Sequence, residues 1–287
     1  MRQDSGFLLI DKARGLSSFD VIRSLRQLTG IRKIGHTGTL DPQATGLLIC
    51  AIGSSTRLCK YLEAEDKSYS ACLHLGTRTD TGDSEGRVIA TDSNIPTNVD
   101  ADALTHSVLA ITELPTPQYS AVKISGKPAY AYARAGASIS LDARPARISS
   151  FAIVSYDPPN MRYICRVSKG TYIRSLSEKI AALLGTVGYT SELCRTSIGS
   201  LQLTDALALD GLNSQNWRAS LFPDRKVFAA FEGFVPGEPD LTALRNGQAV
   251  EQAGPDNPQL MLYDADDSVI GVAARSKGKL LPLVNLF

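Results

Sequence analysis

The segment spanning residues 35–48 constrains this chain more than any other. Its glycines and threonines lead into Asp41, which is followed by a proline and then by an apolar run. Asp before Pro is a common helix start, with the aspartate as N-cap and the proline in the first turn. The spacing alone therefore favours a capping role for Asp41 over a catalytic one. A phosphate-binding loop is a weaker third interpretation, because the segment has neither Gly-Lys-Ser/Thr nor G-x-G-x-x-G.

The composition is that of a globular chain without covalent or metal cross-links. Its 287 residues are 43% hydrophobic and 21% charged, which fits one large domain or two ordinary ones. The apolar runs are too short to span a bilayer and residues 1–6 do not resemble a signal peptide, so we expect a cytoplasmic protein. The five cysteines lack C-x-x-C spacing and the three histidines are scattered, so we expect buried thiols and no metal site.

The hydrophobic pattern predicts a mixture of helices and strands. Apolar residues recur at helical spacing after Ser17, which predicts a helix over 18–29 that ends at Gly30. Because helices and strands do not alternate regularly, the pattern favours an α+β fold over a doubly wound sheet. The other predicted elements are strands over 69–75, 151–155 and 161–167, a hairpin turn at 157–160, and helices over 100–109 and 171–184.

The character of the sequence changes after about residue 210. Short strand-like runs punctuated by glycine and proline cover 259–263, 269–273 and 281–287. They predict a small all-β module of roughly 60 residues, a size that can still form a core. We therefore expect two domains, 1–225 and 226–287.

Positive charge is concentrated between residues 119 and 147. This stretch has five basic residues and one acid, Asp142, so its net charge is +4 whereas the whole chain carries +1. Tyrosines alternate with the bases, and such a combination neutralises phosphates and stacks unpaired bases. A solvated surface loop explains the same composition, and the residues leave both interpretations open. The candidate RNA contacts are Lys123, Lys127, Tyr130, Arg134, Arg144 and Arg147.

A second candidate binding segment lies at 168–176. It follows an alternating strand, begins a helix and presents Lys169, Tyr172 and Arg174. A helix start with such side chains suits a phosphate or a carboxylate. An ordinary first helical turn with exposed polar residues has the same pattern.

Five motifs occur in a fixed order over about residues 10–200. They are Asp11-Lys12 with Gly15 and Ser18; segment 35–48; Asp66-Lys67-Ser68-Tyr69 followed by 75–81; Tyr119-Ser120-Ala121-Val122-Lys123 with Gly126 and Ala129-Tyr130; and segment 169–174. Together they resemble the TruB family of tRNA pseudouridine synthases, whose signature Gly-His-Thr-Gly-x-Leu-Asp-Pro-x-Ala-Thr-Gly surrounds the catalytic aspartate. The density of these matches outweighs the helix-cap interpretation of Asp41.

The resemblance implies a role for each matching residue. Asp41 would be the essential carboxylate, Arg174 its ion-pair partner, and Tyr69 the catalytic-site ring that stacks on the target uracil. The implied substrate-binding residues further include His36, which would hold the everted nucleotide, Tyr172 and Leu193, which would line the base pocket, and Lys12, a supporting basic residue.

The resemblance also implies a fold and a reaction. The fold would be the α+β pseudouridine-synthase fold, with a mixed, mainly antiparallel sheet flanked by helices. An RNA-binding insertion would occupy about 115–148 of the catalytic domain, and residues 226–287 would form a PUA-like RNA-binding domain. The enzyme would isomerise a uridine in the T-loop of tRNA, without cofactor or metal. We expect a monomer whose partner is the T-arm of tRNA.

Three positions depart from the family's pattern. Ala13 stands where many members have proline, so the first loop is expected to be less rigid. Cys194 stands where members often have arginine, so one RNA contact is expected to be missing. The pair Glu178-Lys179 follows the arginine motif where acidic residues are usual, so an ion pair behind Arg174 is expected to differ.

The chemistry requires an ionised Asp41, whether it attacks the ribose or removes a sugar proton. Burial raises the pKa of a carboxyl group, whereas a neighbouring arginine lowers it by about 1–3, which is why Arg174 is expected beside Asp41. Two rival functions remain at this point. A non-catalytic RNA-binding module would not need Asp41, Tyr69 and Arg174 together, and a glycosidase resembling a nucleoside hydrolase would release free uracil.

Overall fold

The computed structural model describes residues 4–124, 126–137 and 139–286. Ser125 and Ser138 in the insertion, and Phe287 in the last predicted strand, lie outside this range. Within it, no helix is long and apolar enough to cross a membrane. The helices are α1 (Ser18–Thr29), α2 (Cys59–Glu63), α3 (Ala101–Leu109), α4 (Ala129–Arg134), α5 (Ile173–Leu183), α6 (Asp224–Val227) and α7 (Glu238–Arg245), with 3-10 turns at Gly53–Leu58, Leu203–Asp205 and Leu209–Gly211.

The strands divide between a large central sheet, three small pairs and a C-terminal sheet. In chain order they are β1 (Gly6–Lys12), β2 (Ile34–His36), β3 (Thr45–Ile52), β4 (Lys67–Leu75), β5 (Thr77–Thr79), β6 (Val88–Thr91), β7 (Glu113–Leu114), β8 (Lys123–Ile124), β9 (Lys127–Pro128), β10 (Arg144–Pro145), β11 (Ile148–Asp157), β12 (Asn160–Val167), β13 (Gly188–Ile198), β14 (Leu201–Gln202), β15 (Leu207–Ala208), β16 (Glu232–Phe234), β17 (Val250–Glu251), β18 (Asn257–Tyr263), β19 (Val269–Ser276) and β20 (Lys279–Asn285).

The central sheet has nine strands. Its main path runs β11–β12–β4–β13–β3–β1–β15, with β14 paired to β13 and β2 to β3. The β1–β15 and β13–β3 pairs are parallel and the others are antiparallel, which confirms the mixed, mainly antiparallel sheet. Because β13 lies between β3 and β4, the loop that leads into β3 comes close to the first residues of β4.

Helix α1 has the ends that the sequence predicts. The Ser17 hydroxyl accepts from the backbone N–H of Asp20 at 3.1 Å, and the Asp20 carboxylate accepts from the Ser17 N–H at 3.0 Å. This reciprocal capping box fixes the first turn. Gly30 ends the helix with a φ of 74°, in the left-handed region that glycine adopts readily. The buried face of α1 packs on β1 and β3 through Val21, Ile22 and Leu25.

Helices α3 and α5 pack against the sheet beside β4 and β12. The apolar stripe of α5 joins one buried cluster with residues from these strands. The helix begins at Ile173, two residues after the predicted start, and its N-cap Tyr172 makes no side-chain capping bond. Arg174 consequently lies in the first turn of α5.

Residues 41–44 form a turn and not the start of a helix. The backbone N–H of Ala44 donates to the Asp41 carbonyl at 3.0 Å, and β3 begins immediately afterwards at Thr45. The apolar run that follows is a strand buried on both faces, between β1 and β13. The helix-cap interpretation of Asp41 is therefore wrong, because the tertiary pairing of this run overrides the local Asp-Pro signal.

The C-terminal module is a five-stranded sheet ordered β16–β18–β19–β20–β17. The sequence predicted an all-β module, and this prediction is wrong, because α7 packs on the sheet through Leu244. Its second face shares a core with the N-terminal residues. The Phe7 and Phe228 ring centroids lie 5.4 Å apart, within a buried cluster that also contains Met261 and Val284.

The insertion is attached to the body of the protein at its base. Strands β7 and β10 pair there, while β8, β9 and α4 form the outer part. Gln118 exchanges two hydrogen bonds with the backbone of Ile139, at 2.6 and 3.2 Å. The Ser175 hydroxyl of α5 donates to the Pro115 carbonyl at 2.7 Å. The base of the insertion thus lies against the helix that carries Arg174.

Candidate active site

Asp41 lies on the floor of a large cleft, in the turn between β2 and β3. Its neighbour Pro42 is held from the other side, because its carbonyl accepts from the Gly15 N–H at 2.8 Å and from the Lys12 ammonium at 3.2 Å. About a third of the Asp41 side chain, 34%, remains exposed and faces the cleft. The backbone is therefore fixed while the carboxylate stays accessible.

Arg174 is the ion-pair partner of Asp41, as the resemblance implied. Its Nε lies 3.0 Å from Asp41 Oδ2, and its side chain is only 4% exposed. The other two guanidinium nitrogens donate to the carbonyls of Thr81 and Tyr119, each at 2.8 Å. A buried guanidinium with donors in three directions holds the carboxylate in one orientation.

Asp83 is a second carboxylate beside Arg174. Unlike Asp41 it is buried, and the sequence did not single it out. Its Oδ2 lies 3.7 Å from Arg174 Nη1, and its side chain is 6% exposed. Gly82, with φ at 73°, precedes it, and a Cβ there would lie 3.4 Å from the Arg174 Cβ. Asp83 lies in the segment 77–86, whose many polar residues, Asp and Gly among them, indicate a turn. Without the fold, nothing in that composition connects Asp83 with Arg174.

The surroundings of Asp41 raise its pKa above the ordinary value for aspartate. Burial is the largest cause, the Arg174 guanidinium opposes it, and the Asp83 carboxylate adds to it. The arginine is present as predicted, but its lowering effect is outweighed by desolvation and by the second carboxylate. Arg174 is thus shared between two acids and does not belong to Asp41 alone.

The cleft around Asp41 has a volume of about 1170 Å³. The predicted site residues that line the cleft come from five separate parts of the chain. They are Asp41, Tyr69, Tyr130, Arg134, Arg144, Tyr172, Arg174 and Leu193.

Three of these residues form an apolar wall beside the carboxylate. Tyr69, on β4, is 8% exposed and Leu193, on β13, is 9% exposed. Their strands are paired, with Leu193 opposite Ala71. Tyr172, at the N-terminus of α5, completes the wall. A planar base can lie against such a surface, because both rings present an apolar face.

Lys12 and His36 do not line the cleft. The Lys12 side chain is fully buried, and its ammonium donates to the carbonyls of Ala13, Leu16 and Pro42 at 3.0, 2.6 and 3.2 Å. Burial lowers the pKa of Lys12 to about 8. His36 lies in β2, and burial followed by the nearby Arg195 charge lowers its pKa. Its buried Nδ1 has no hydrogen-bond partner. The structure thus gives Lys12 a position in which it stabilises the first loop.

Arg195 is another cleft residue that the sequence did not single out as functional. It is 1% exposed, its Nε donates to the Leu47 carbonyl at 2.8 Å, and its Nη2 donates to the Gly38 carbonyl at 3.0 Å. It thereby joins β13 to the loop that precedes Asp41. A Cβ on Gly46 would lie 2.3 Å from the Arg195 carbonyl oxygen, so glycine is required for this close approach.

The predicted RNA contacts separate into two groups. Tyr130, Arg134 and Arg144 line the cleft, whereas the hairpin residues Lys123 and Lys127 lie exposed outside its lining. Arg147 also lies outside the lining.

Arg147 forms an ion pair with Asp66, with Nη2 to Oδ2 at 3.0 Å. Asp66 directly precedes β4, so the pair connects the end of the insertion to the strand that carries Tyr69.

The site contains no cluster of side chains suited to a metal ion within the described residues. The cysteines are free. Cys50, Cys72 and Cys165 are buried, as predicted, whereas Cys59 and Cys194 are only partly buried. Burial raises the pKa of Cys165 to about 12 and that of Cys59 to about 11. These thiols are therefore poor nucleophiles and poor ligands.

Solved structures identify the class of fold. The chain matches a chain of the structure "Structure of H/ACA RNP bound to a substrate RNA containing 2'-deoxyuridine" with a TM-score of 0.70 and 19% identity, over 98% of this chain and 85% of that one. A chain of the Cbf5-Nop10-Gar1 complex matches with a TM-score of 0.70 and 20% identity, over 98% and 84%. The fold is that of a pseudouridine synthase.

Sequence relatives narrow this class. A protein of Burkholderia pseudomallei (strain 668) named "tRNA pseudouridine synthase B" is 39% identical over 288 residues, covering 96% of this chain and 95% of the relative. A protein of the same name from Aromatoleum aromaticum is 42% identical over 212 residues, covering 73% and 68%. The model "TruB family pseudouridylate synthase (N terminal domain)" matches residues 26–173. The chain belongs to the TruB family.

Proposed function

We propose that this protein converts a uridine in the T-loop of tRNA to pseudouridine, with Asp41 as the essential carboxylate. The observation that carries the proposal is the Asp41–Arg174 ion pair at 3.0 Å, on the floor of a cleft that also presents Tyr69. The near full-length similarity to proteins named tRNA pseudouridine synthase B supports the choice of tRNA. We propose that the protein acts as a monomer on the T-arm.

The reaction breaks the C1′–N1 bond of the target nucleotide and forms a C1′–C5 bond. The uracil must turn over while it is detached, and C5 loses a proton while N1 gains one, so that no atoms are exchanged overall. A carboxylate serves this reaction either by attack on the ribose or by removal of a sugar proton, and both roles need Asp41 ionised. The guanidinium of Arg174 favours this charged form against the effect of burial.

The target uridine has to leave a folded RNA loop before it can reach Asp41. Base flipping costs a few kcal/mol, and stacking on an aromatic ring returns about 1–3 kcal/mol per base. We assign this stacking to Tyr69, with Tyr172 and Leu193 beside it. The basic insertion and the C-terminal module would bind the rest of the tRNA through its phosphates.

The decisive experiment incubates the purified protein with unmodified tRNA and maps pseudouridine chemically. We expect one modified T-loop position with wild type and none with Asp41→Asn, while the affinity of this variant for tRNA changes little. Turnover near wild type in Asp41→Asn would remove Asp41 from the mechanism. Free uracil among the products would show a glycosidase, and tRNA binding without either product would show a non-catalytic RNA-binding protein.

A further inference from the structure

An exposed phenylalanine lies on the rim of the cleft, at the start of α1. Phe19 is 56% exposed and lines the cleft with Gly38, Thr39 and Leu40, the residues that precede Asp41. Neither the motifs of the sequence nor the proposed reaction assigns a role to this ring. Its position places it within the same cleft as the carboxylate.

Phe19 has one counterpart in the described part of the chain. Among the large hydrophobic side chains that are exposed there, Phe19 and Tyr130 are the two aromatic ones, and both line the cleft. Tyr130 belongs to α4 of the insertion, and the Arg134 guanidinium lies 5.4 Å from its ring centroid. The cleft therefore has an exposed aromatic ring on α1 and another on the insertion.

Two arginines accompany the Phe19 ring. The guanidinium carbons of Arg23 and Arg26 lie 5.5 and 5.7 Å from its centroid. The three residues occupy positions i, i+4 and i+7 of α1, so they share one face of the helix. Arginines also lie over Trp217 and Tyr263, but each of these rings is only 1% exposed. A ring that is only 1% exposed has no open face for a planar ligand, whereas the Phe19 ring has one.

The charges around Phe19 leave these arginines available to an anion. Arg23 is 60% exposed and forms a surface ion pair with Asp20 at 3.0 Å, which phosphate can compete with in water. Arg26 is partly buried: its Nη2 donates to the Ile34 carbonyl at 3.4 Å, and its buried Nε has no partner. Within the described residues Asp20 pairs with Arg23 and no ion pair is formed by Arg26, so this face of α1 has an excess of positive charge.

We propose that Phe19, Arg23 and Arg26 form a stacking site for an unpaired base of the RNA that flanks the nucleotide in the cleft. The base stacks on the phenyl ring, and the two guanidiniums contact the adjacent phosphates. Stacking tolerates any base, so the site contributes affinity without reading the RNA sequence. This inference rests on the proposed RNA substrate, and the experiment below separates the two.

The test replaces Phe19 by leucine, which keeps an apolar side chain but removes the flat ring. Because Phe19 is exposed, the variant is expected to fold normally, as checked by circular dichroism. Binding to an unmodified tRNA transcript should weaken about 5- to 150-fold, the range expected for loss of one stacked base. The single-turnover rate at saturating enzyme should stay unchanged. Phe19→Tyr, which keeps the ring, should bind as wild type does.

The phosphate contact is tested through salt dependence. Arg23→Gln should reduce the log–log slope of tRNA affinity against salt by about 0.7–0.9. The matched control is Arg162→Gln, which removes an exposed, ion-paired arginine on β12 and leaves the arginines beside the Phe19 ring in place. This control should leave the slope unchanged.

The outcomes distinguish the site from the proposed function. Unchanged affinity in Phe19→Leu, or equal weakening in Phe19→Tyr, overturns the stacking site, and if the wild type still forms pseudouridine the proposed function stands. Weakened binding of Phe19→Leu supports the site even if the wild type forms no pseudouridine, a result that would refute the proposed function alone. A wild type that does not bind tRNA overturns both.

Discussion

The Arg174 guanidinium connects Asp41 to the insertion. Its Nε lies 3.0 Å from Asp41 Oδ2, and its Nη2 donates to the Tyr119 carbonyl at 2.8 Å. The remaining nitrogen, Nη1, donates to the Thr81 carbonyl at 2.8 Å. One side chain therefore holds both the Asp41 carboxylate and a backbone carbonyl of the insertion.

Arg174→Lys is expected to impair catalysis far more than binding. Lysine keeps the positive charge, but its three N–H donors leave from one nitrogen and cannot reach all three acceptors that the separate guanidinium nitrogens of Arg174 contact. We expect the single-turnover rate to fall about 10²- to 10³-fold, the usual effect of removing one preorganised donor from an active site. The affinity for tRNA, measured by filter binding, should change little.

A control for this variant is Arg78→Lys. Arg78 is an exposed arginine outside the lining of the cleft. It pairs at 3.0 Å with Glu178 of α5, the helix that carries Arg174. It should leave both rate and affinity near wild type. If Arg174→Lys instead weakened binding and kept the rate, Arg174 would be a phosphate contact.

Asp83→Asn is expected to extend activity to lower pH. In the proposed mechanism Asp41 acts as an ionised carboxylate, so activity falls as the pH drops through its pKa. The Asp83 charge contributes to the raised pKa of Asp41. Its removal lowers this pKa, and the acid limb of the single-turnover rate should move to lower pH. Asparagine keeps the oxygen that accepts from the Thr81 hydroxyl and the Glu85 N–H.

Asp80→Asn serves as the control for the pH profile. Asp80 lies in the same turn, but it pairs with Arg87 at 3.5 Å and is not a neighbour of Asp41. Its acid limb should coincide with that of the wild type. An acid limb of Asp83→Asn that stays in place or moves to higher pH would contradict the role assigned to the Asp83 charge.

The sequence predicted correctly the helix whose ends are fixed by residues close to them in the chain. Helix α1 begins after Ser17 and ends before Gly30 because a capping box and a left-handed glycine act within one turn of the chain. The Asp-Pro pair at 41–42 carries an equally local signal, yet a strand follows it. The pairing of β3 with β1 and β13 decides that outcome, and this pairing is not encoded within the segment.

The candidate site shows the same division. Asp41, Tyr69 and Arg174 were named through motifs, and the structure brings them into one cleft. Asp83 and Arg195 were missed because their partners are distant in sequence, and Arg195 donates to a carbonyl 148 residues away. Neither the hydrophobic periodicity of the sequence nor a helix-capping pattern indicates a contact between residues so far apart in the chain.

Phe228→Ala is expected to destabilise the N-terminal part of the chain as well as the C-terminal module. Phe228 is fully buried and packs edge-on against Phe7 of β1 and against Phe231. Truncation of a buried phenylalanine costs about 3–5 kcal/mol of unfolding free energy. Because the core is shared, the loss should appear in urea unfolding followed by the fluorescence of Trp217, which is buried in a different cluster.

The matched control is Leu260→Ala, which removes a buried side chain from the cluster confined to the C-terminal module. It should affect the Trp217 transition less than Phe228→Ala does. If the Trp217 transition were unchanged in Phe228→Ala, residues 1–225 and 226–287 would unfold independently.

Arg134→Gln and Arg144→Gln are each expected to flatten the salt dependence of tRNA binding. Both arginines line the cleft, and loss of one phosphate contact reduces the log–log slope by about 0.7–0.9. Arg147 provides the comparison, because it lies outside the lining of the cleft. Arg147→Gln should therefore change the slope less. Equal slopes for all three variants and the wild type would mean that the insertion is a solvated loop, since contacts with RNA phosphates necessarily release counterions.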